Sequence, residues 1–412
     1  MLGVGIWSLG FGIFRKASRL PPLIFKKGLD LKHEVAHVLA GSYGSGLVAT
    51  VKESQYQFIS GRLVVHLARE FGFCYGVDRA VDYAYQARHR FPDRQVFLTG
   101  EIIHNPHVNN ELRAKGIRFL SDPGESLDLL TPEHVVILPA FGTTVELLED
   151  LVGRGCTLVD TTCGSVLNVW KNVKRYAADG YTAIIHGKYW HEETRATASQ
   201  ALHSGGGAYL VVLDRAEAGT VCDYIRHGGS PDALLKRFEH SVSQGFDPVA
   251  HLQRVGCANQ TTMLSSESLE IGEMFRQAMR DRYGDEQLPA RFRAFDTICS
   301  ATQDRQDAVI ALLDQQPIDL MVVIGGYNSS NTCNLARICA GKRPTYHIAD
   351  ASGLVSGTAI QHKPIGGKHE VTTTGWLPPG AIAIGLTSGA STPDNIVETV
   401  IRRLDTLANG PA

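Results

Sequence analysis

The 412-residue chain lacks several features that define other classes of protein. No stretch approaches the roughly 20 consecutive apolar residues that span a bilayer. The formal net charge is −2, with 40 Lys and Arg against 42 Asp and Glu, so there is no basic excess of the kind that binds nucleic acid. Hydrophobic residues make up 43% and charged residues 20% of the chain, as in ordinary globular proteins. We therefore predict a globular protein with neither a membrane span nor a nucleic-acid partner.

Cysteine is present, but not in the arrangement of the common small metal or disulfide motifs. None of the 8 cysteines belongs to a C-x-x-C pair, which argues against a zinc ribbon and against a thioredoxin motif. They are also too few for a disulfide scaffold in a chain of this length, and they suit a reducing cytosol. We therefore expect a cytoplasmic protein. Most cysteines outside the three positions described below should be buried small hydrophobic residues.

The N-terminal residues have only a weak likeness to a targeting sequence. Residues 1–14 are apolar and rich in Gly, and the cations Arg15, Lys16 and Arg19 follow them. A secretory signal carries its cations before the apolar run, so this order argues against export. The first acidic residue is Asp30, as in some transit peptides, but Ser is scarce. Import into the plastid stroma is therefore a secondary alternative to a cytoplasmic location.

From Arg62 onwards, short apolar runs alternate with polar segments of helical character. The runs that predict strands are LVVHLA, QVFLTGEII, HVVILPAF, TLVDTT, YTAIIHG, AYLVVL, LMVVIGG and AIAIGLTSG. Such alternation is typical of parallel βαβ units and predicts an α/β fold. Upstream, residues 30–41 predict a short helix that Asp30 caps and a Gly closes. Residues 224–255 are more polar and irregular, and we expect an insertion there.

Three cysteines lie at the same kind of boundary, between a strand-like run and a helix-like segment. Cys74 follows RLVVHLAREFGF, Cys163 follows CTLVDTT, and Cys299 follows RFRAFDTI. Because ligands of open α/β sheets bind at the carboxyl ends of strands, three such ends could present three thiolates to one point. Three thiolates suit an iron–sulfur cluster with one iron left free for substrate. The boundaries form a weak internal repeat, which predicts three similar α/β lobes around one centre.

Two polar segments that follow buried strands have the composition of helix N-terminal anion sites. GGYNSSNTCN places Ser329, Ser330 and Asn331 where a helix should begin, and GLTSGASTPDN places Ser391 before another helix. Such side chains are ordinary helix caps. They also form anion sites, because free N–H groups and the helix dipole point outward. From the residues alone, helix caps and a diphosphate site are equally good interpretations.

Histidines and a glutamate occupy similar positions after strands. His104 lies in EIIHNPHVN, and His191 and Glu193 lie in IIHGKYWHEET. Residues two apart do not share a face of a regular helix, but a helix start can turn both inward. A lone His there is usually structural, whereas a His with a carboxylate beside three thiolates favours phosphate binding and proton delivery. Thr261 is a weaker candidate, and Arg305 is either a helix-face cation or a salt-bridge partner.

Together these motifs resemble the 4-hydroxy-3-methylbut-2-enyl diphosphate reductase family, most closely its plant and cyanobacterial branch. The matching stretches lie within about residues 45–405 and are YGVDRAV, EIIHNPHVN, VVILPAFG, VDTTC, IIHGKYWHEET, ANQTTM, TICSATQDRQDA, GGYNSSNT and TSGASTPDN. The resemblance implies three pseudo-equivalent α/β lobes with small, mostly parallel sheets around a central [4Fe–4S] cluster. It implies one cluster per chain, held by Cys74, Cys163 and Cys299 with one open iron.

The resemblance also implies an activity. The expected reaction is reductive dehydroxylation of 4-hydroxy-3-methylbut-2-enyl diphosphate to isopentenyl diphosphate and dimethylallyl diphosphate, the last step of the methylerythritol phosphate route to isoprenoids. The implied catalytic residues are Glu193, His191 and Thr261, and the implied diphosphate-binding residues are His104, Ser329, Ser330, Asn331 and Ser391. A ferredoxin- or flavodoxin-type electron donor and a monomer or homodimer are expected.

With this resemblance, the chain divides as follows. Residues 1–60 are an N-terminal extension, and residues 61–74 are a first strand and cluster ligand that pack with the third lobe. The lobes are expected at residues 75–162, at residues 163–298 with the insertion near 224–255, and at residues 299–412.

The chain departs from the family pattern beside two of the implied ligands. The family usually reads close to TCPWVTKVW where this chain has TCGSVLNVW, and Tyr75 replaces a tryptophan. Phe141 replaces a histidine, as in the plant and cyanobacterial branch. These changes leave open a divergent paralogue that keeps the cluster as a redox sensor or acts on another diphosphate. Further alternatives are another three-cysteine cluster enzyme, such as quinolinate synthase, and an α/β phosphate-binding module whose cysteines only pack in the core.

Overall fold

The computed structural model describes residues 23–203, 206–295 and 297–410. The apolar N-terminal run and the cations that follow it, on which the plastid alternative depended, lie outside the described residues. Among the helices of the described part, none combines the length and the apolar character needed to cross a membrane.

The strands and helices alternate along most of the chain. The strands are β1 (Ile24–Phe25), β2 (Gln57–Ser60), β3 (Leu63–Leu67), β4 (Val96–Leu98), β5 (Ile117–Phe119), β6 (Val135–Leu138), β7 (Thr157–Asp160), β8 (Thr182–His186), β9 (Tyr209–Val212), β10 (Val255–Asn259), β11 (Phe292–Ala294), β12 (Leu320–Ile324), β13 (Thr345–Ile348), β14 (Ala359–His362), β15 (Val371–Thr374) and β16 (Ile382–Ser388). The helices are α1 (Lys32–Tyr43), α2 (Gly46–Glu53), α3 (Tyr75–Arg90), α4 (Pro106–Ala114), α5 (Val145–Gly153), α6 (Gly164–Ala178), α7 (Glu192–His203), α8 (Arg215–His227), α9 (Pro231–Arg237), α10 (Pro248–His251), α11 (Ser265–Tyr283), α12 (Leu288–Arg291), α13 (Ser300–Gln315), α14 (Ser330–Ala340) and α15 (Asp394–Asn409).

Three small, mostly parallel sheets carry the fold, which confirms the predicted α/β class. The first has the order β1-β7-β6-β4-β5 and the second β11-β10-β8-β9, and both are fully parallel. The third has the order β13-β12-β16-β3-β2, in which β2 alone runs antiparallel. A separate antiparallel pair joins β14 to β15. Strands such as β6, β8 and β12 are buried along their whole length, as expected for parallel strands covered on both faces.

The third sheet joins distant parts of the chain, and this pairing matters for the site. β3 pairs with β16, so the strand that leads to Cys74 lies beside the strand that leads to Ser391. The backbone N–H of Cys74 donates to the carbonyl of Ala390 at 3.1 Å. The carboxyl ends of two strands more than 300 residues apart in the chain therefore meet at one place.

Residues 23–60 of the predicted extension, and the predicted insertion, both pack against the three sheets. β1 extends the first sheet beside β7, and α2 packs on α15. Residues 224–255 contain α9 and α10 and bury Phe238 and Leu252 in the core of the second sheet. The helix predicted at residues 30–41 begins later, because Asp30 has a φ of 61° and does not cap it. The lobe boundaries drawn from the sequence stay predictions.

Candidate active site

All of the site residues predicted from the sequence line one cavity. The free space between its walls, including its open mouth, is about 660 Å³. The predicted residues on its wall are Cys74, His104, Cys163, His191, Glu193, Thr261, Cys299, Ser329, Ser330, Asn331 and Ser391. Apolar side chains, among them Val77, Ile103 and Phe141, complete the wall.

Each of the three sheets contributes to this cavity from the carboxyl ends of its strands. The first sheet supplies His104 after β4 and Cys163 after β7. The second supplies His191 and Glu193 after β8, Thr261 after β10 and Cys299 after β11. The third supplies Cys74 after β3, the serines and Asn331 after β12, and Ser391 after β16. One thiol and at least one other polar group therefore come from each sheet, as open α/β sheets place their ligands.

The three cysteines occupy equivalent positions in the local structure. Cys74, Cys163 and Cys299 are the N-cap residues of α3, α6 and α13, with extended backbones and no side-chain cap hydrogen bond. The positive ends of three helix dipoles therefore point toward three free thiols. Burial raises the pKa of Cys74, and it raises the pKa of Cys299 to about 11 against the opposing hydrogen bond with Thr302. A bound cation would favour the thiolate forms that ligate metals.

Gly76 allows two of these sulfurs to approach each other. A Cβ built on Gly76 would lie 2.6 Å from Sγ of Cys163 and 3.9 Å from Sγ of Cys74. Any other residue in this first turn of α3 would therefore displace a thiol. Gly76 was not among the residues predicted from the sequence. The available signal was a glycine two residues after a candidate ligand, at a helical position where glycine costs about 1 kcal/mol relative to alanine.

Glu193 is a deeply buried carboxyl group on the wall of the cavity. Its side chain is 1% exposed, and its Oε1 accepts a hydrogen bond from the backbone N–H of Thr261 at 2.6 Å. Burial raises the pKa of Glu193 to about 7, although hydrogen bonds from Thr261 oppose the shift. A large fraction of this carboxyl group therefore carries a proton at neutral pH, and the group can donate it into the cavity.

His191 and Glu193 both face the cavity because α7 begins between them, at Glu192. The backbone N–H of Glu193 donates to Nδ1 of His191 at 3.1 Å, so the neutral ring of His191 carries its proton on Nε2. Burial, helped by the nearby His104, lowers the pKa of His191 to about 3, which keeps the ring neutral.

A chain of hydrogen bonds continues from His191 to His104 and Glu101. Nε2 of His191 lies 3.0 Å from Nε2 of His104, and Nδ1 of His104 lies 2.7 Å from Oε2 of Glu101. With the proton of His191 on Nε2, His104 accepts through Nε2 and donates through Nδ1 to the carboxylate. The side-chain ligand atoms of His104, His191 and Glu192 also lie within 4.8 Å of one another, a geometry that could hold a cation. In this structure the two histidine Nε2 atoms bind each other.

Another part of the cavity wall presents hydroxyl and amide groups at the start of α14. Ser329 is the N-cap of α14, and Oγ of Ser330 accepts from Nε2 of Gln260 at 3.2 Å. Oδ1 of Asn331 accepts from the backbone N–H of Ala390 at 3.0 Å. Its buried Nδ2 has no hydrogen-bond partner among the described residues. A buried donor without a partner costs about 1–3 kcal/mol, so this donor points to a ligand with acceptor atoms.

Comparisons with known proteins agree with this architecture. The profile of the family described as LytB protein matches residues 65–405. Proteins named 4-hydroxy-3-methylbut-2-enyl diphosphate reductase from a Picosynechococcus species and from Gloeobacter violaceus are 46% and 48% identical; each alignment covers 92% of this chain, and the alignments cover 93% and 91% of the relatives.

Two solved structures are also similar. One is titled as the structure of (E)-4-hydroxy-3-methyl-but-2-enyl diphosphate reductase, the terminal enzyme of the non-mevalonate pathway; it is 27% identical, with a TM-score of 0.51, and the match covers 82% of this chain and 98% of that one. A reductase structure from Plasmodium falciparum shares the fold at 20% identity, with a TM-score of 0.60 and coverage of 84% and 89%. Since the profile covers most of the chain and the curated relatives match nearly all of it, the chain belongs to the LytB protein family.

Proposed function

We propose that this chain catalyses the reductive dehydroxylation of 4-hydroxy-3-methylbut-2-enyl diphosphate to isopentenyl diphosphate and dimethylallyl diphosphate. The observation that carries the proposal is a single cavity that combines three free thiols, a buried carboxyl group with a pKa near 7 and an anion-binding wall. The names of the similar cyanobacterial proteins support the same substrate. In this proposal the reaction is the last step of the methylerythritol phosphate route.

We propose that Cys74, Cys163 and Cys299 hold one [4Fe–4S] cluster and leave one iron open. The residues fit such a group, because three thiols converge from helix N-termini and Gly76 leaves room for two sulfurs to lie close together. Thiolates are also the ligands that iron–sulfur clusters prefer. When bound, the cluster supplies electrons and a Lewis-acidic iron for the hydroxyl group of the substrate.

The anion-binding wall holds the diphosphate in this proposal. The N-terminus of α14 and the free Nδ2 of Asn331 offer donors to phosphate oxygens, together with Ser329, Ser330 and Ser391. His104 also lines the cavity, where Oγ of Ser391 donates to its backbone carbonyl at 3.4 Å. An anion at this position would accept a hydrogen bond from the buried Nδ2 of Asn331 and so offset the cost of burying that donor. The diphosphate therefore fixes the allylic alcohol with its hydroxyl group toward the cysteines.

Glu193 protonates the leaving hydroxyl group. The carbon–oxygen bond breaks, the oxygen leaves as water, and a new carbon–hydrogen bond forms. The balance requires two electrons and two protons per turnover. Thr261 orients the carboxyl group of Glu193 through its backbone N–H, and His191 accepts from the backbone N–H of Glu193 and so holds the start of α7 in place. A ferredoxin- or flavodoxin-type carrier is the proposed donor, because one cluster passes one electron at a time.

The test is anaerobic turnover with a reduced viologen dye. The protein should convert 4-hydroxy-3-methylbut-2-enyl diphosphate to the two five-carbon diphosphates, and it should leave the same alcohol without its diphosphate nearly unchanged. Iron-loaded protein that converts neither compound would contradict the proposal and would favour a redox sensor. Equal rates on the two compounds would contradict the role of the anion-binding wall.

A further inference from the structure

Arg305 on α13 is a buried cation that has no acidic partner in the described part of the chain. Its side chain is 3% exposed. Nη1 donates to the carbonyl of Ala301 and Nη2 to the carbonyl of Gly72, each at 2.8 Å. Nε has no hydrogen-bond partner, and none of the ion pairs among the described residues includes Arg305. The acids beside it in the sequence, Asp304 and Asp307, are exposed.

A guanidinium group in this environment requires a compensating anion. Removing a charge from water without a partner costs several kcal/mol, and two neutral carbonyl groups do not supply a counter-charge. Neutral cysteine thiols would not offset that desolvation cost. We therefore expect a negatively charged group close to Arg305.

The three-cysteine site is where that negative charge is expected. Arg305 lies on the helix that Cys299 caps, and its acceptor Gly72 is two residues before Cys74. The guanidinium therefore ties the first turn of α13, at Ala301 on the cavity wall, to the chain that precedes Cys74.

We propose that Arg305 is the counter-charge of the iron–sulfur cluster and raises its reduction potential. The inference rests on the proposed function, since it requires the cluster. Each electron that enters adds negative charge, and a cation in a buried, weakly screened position stabilises the reduced form more than the oxidised form. Arg305 touches neither substrate nor the reacting atoms in this proposal, so it is a positioning and tuning residue.

The experiment is a redox titration followed by electron paramagnetic resonance on anaerobically purified, cluster-loaded protein. Arg305→Gln should lower the midpoint potential, whereas Arg305→Lys, which keeps the charge, should stay close to wild type. Arg88→Gln is the matched control, because Arg88, like Arg305, donates to backbone carbonyls, in its case three of them. It lies about 20 Å along α3 from the cysteine end. The midpoint potential of the cluster in Arg88→Gln should equal that of the wild-type protein.

The outcomes separate this inference from the proposed function. Wild-type protein without a cluster would contradict the proposed function itself. A complete cluster with an unchanged potential in Arg305→Gln would overturn only the inference. Equal lowering in the Gln and Lys variants, or loss of the cluster from both, would show a structural tether and also overturn it. Loss of the cluster from the Gln variant alone, with a wild-type potential in the Lys variant, would support the charge requirement.

Discussion

Replacement of Glu193 by Gln tests the proton-delivery step most sharply. Gln keeps the shape of the side chain and the oxygen that accepts from the N–H of Thr261, but it carries no transferable acidic proton. Burial raises the pKa of Glu193 from 4.5 to about 7, which corresponds to about 3 kcal/mol in favour of the protonated form. Removing a general acid costs about 10²–10⁴-fold in rate, so we expect kcat/KM to fall by that factor.

The loss of activity in Glu193→Gln should be largest at low pH and shrink as the pH rises. Because the raised pKa keeps Glu193 protonated below about pH 7, the wild-type rate should be highest there and fall as the pH rises through this value. Anions bound beside Glu193 raise its pKa further, so the fall should begin at pH 7 or above. In the ratio of wild-type to variant kcat/KM, titration of the substrate cancels, and only the titration of Glu193 remains. That ratio should fall about tenfold per pH unit above the midpoint.

The assay is anaerobic turnover with a reduced dye from about pH 6 to 9, on proteins with matched iron content. Glu149→Gln is the control, since Glu149 is an exposed carboxylate on α5 and lies outside the cavity. Its rate and pH profile should match wild type. Near-normal turnover by Glu193→Gln, or a wild-type to variant ratio that does not change with pH, would refute the role of Glu193.

Three further substitutions test the other parts of the cavity. Cys74→Ser should strip or cripple the cluster, measured as iron per chain, whereas Cys222→Ser, fully buried in the core of the second sheet, should keep it. Gly76→Ala should lower iron per chain, because the added Cβ would lie 2.6 Å from a cysteine sulfur, and it should do so without lowering the unfolding temperature. Gly164→Ala is its control and should retain full iron, because that Cβ would have no atom within 4 Å. Asn331→Asp should raise KM by about tenfold or more with little change in kcat, because a carboxylate replaces a donor to the diphosphate; an unchanged KM would exclude that contact.

Much of the architecture followed from local sequence patterns. The apolar runs LVVHLA, HVVILPAF, YTAIIHG and LMVVIGG all contain strands, because parallel strands buried on both faces need nearly continuous apolar residues. Since ligands gather at the carboxyl ends of such strands, the positions of the three cysteines and Glu193 in the sequence predict that they lie close together. All four residues do line one cavity, and their roles there are proposals.

Some features of the site could not be predicted from local sequence patterns, because they depend on long-range contacts. Nothing local shows that β3 pairs with β16, yet this pairing brings Cys74 beside Ser391. The contact between Thr261 and Glu193 joins the loop after β10 to α7, which follows β8. Arg305 was ambiguous in the sequence, and only its burial without an acidic partner among the described residues distinguished it from a salt-bridge partner. Gly76 was missed because the need for a glycine there comes from the nearby sulfur of Cys163, which is distant in the sequence.

In the proposed site, three cysteines hold one cluster, and the open iron of that cluster binds the substrate. Mössbauer spectroscopy on anaerobic protein enriched in ⁵⁷Fe, with and without 4-hydroxy-3-methylbut-2-enyl diphosphate, tests it most directly. We expect about four irons per chain, with one iron distinct from the others and altered when substrate binds. Protein without iron, or a cluster whose irons are all unaffected by substrate, would contradict it.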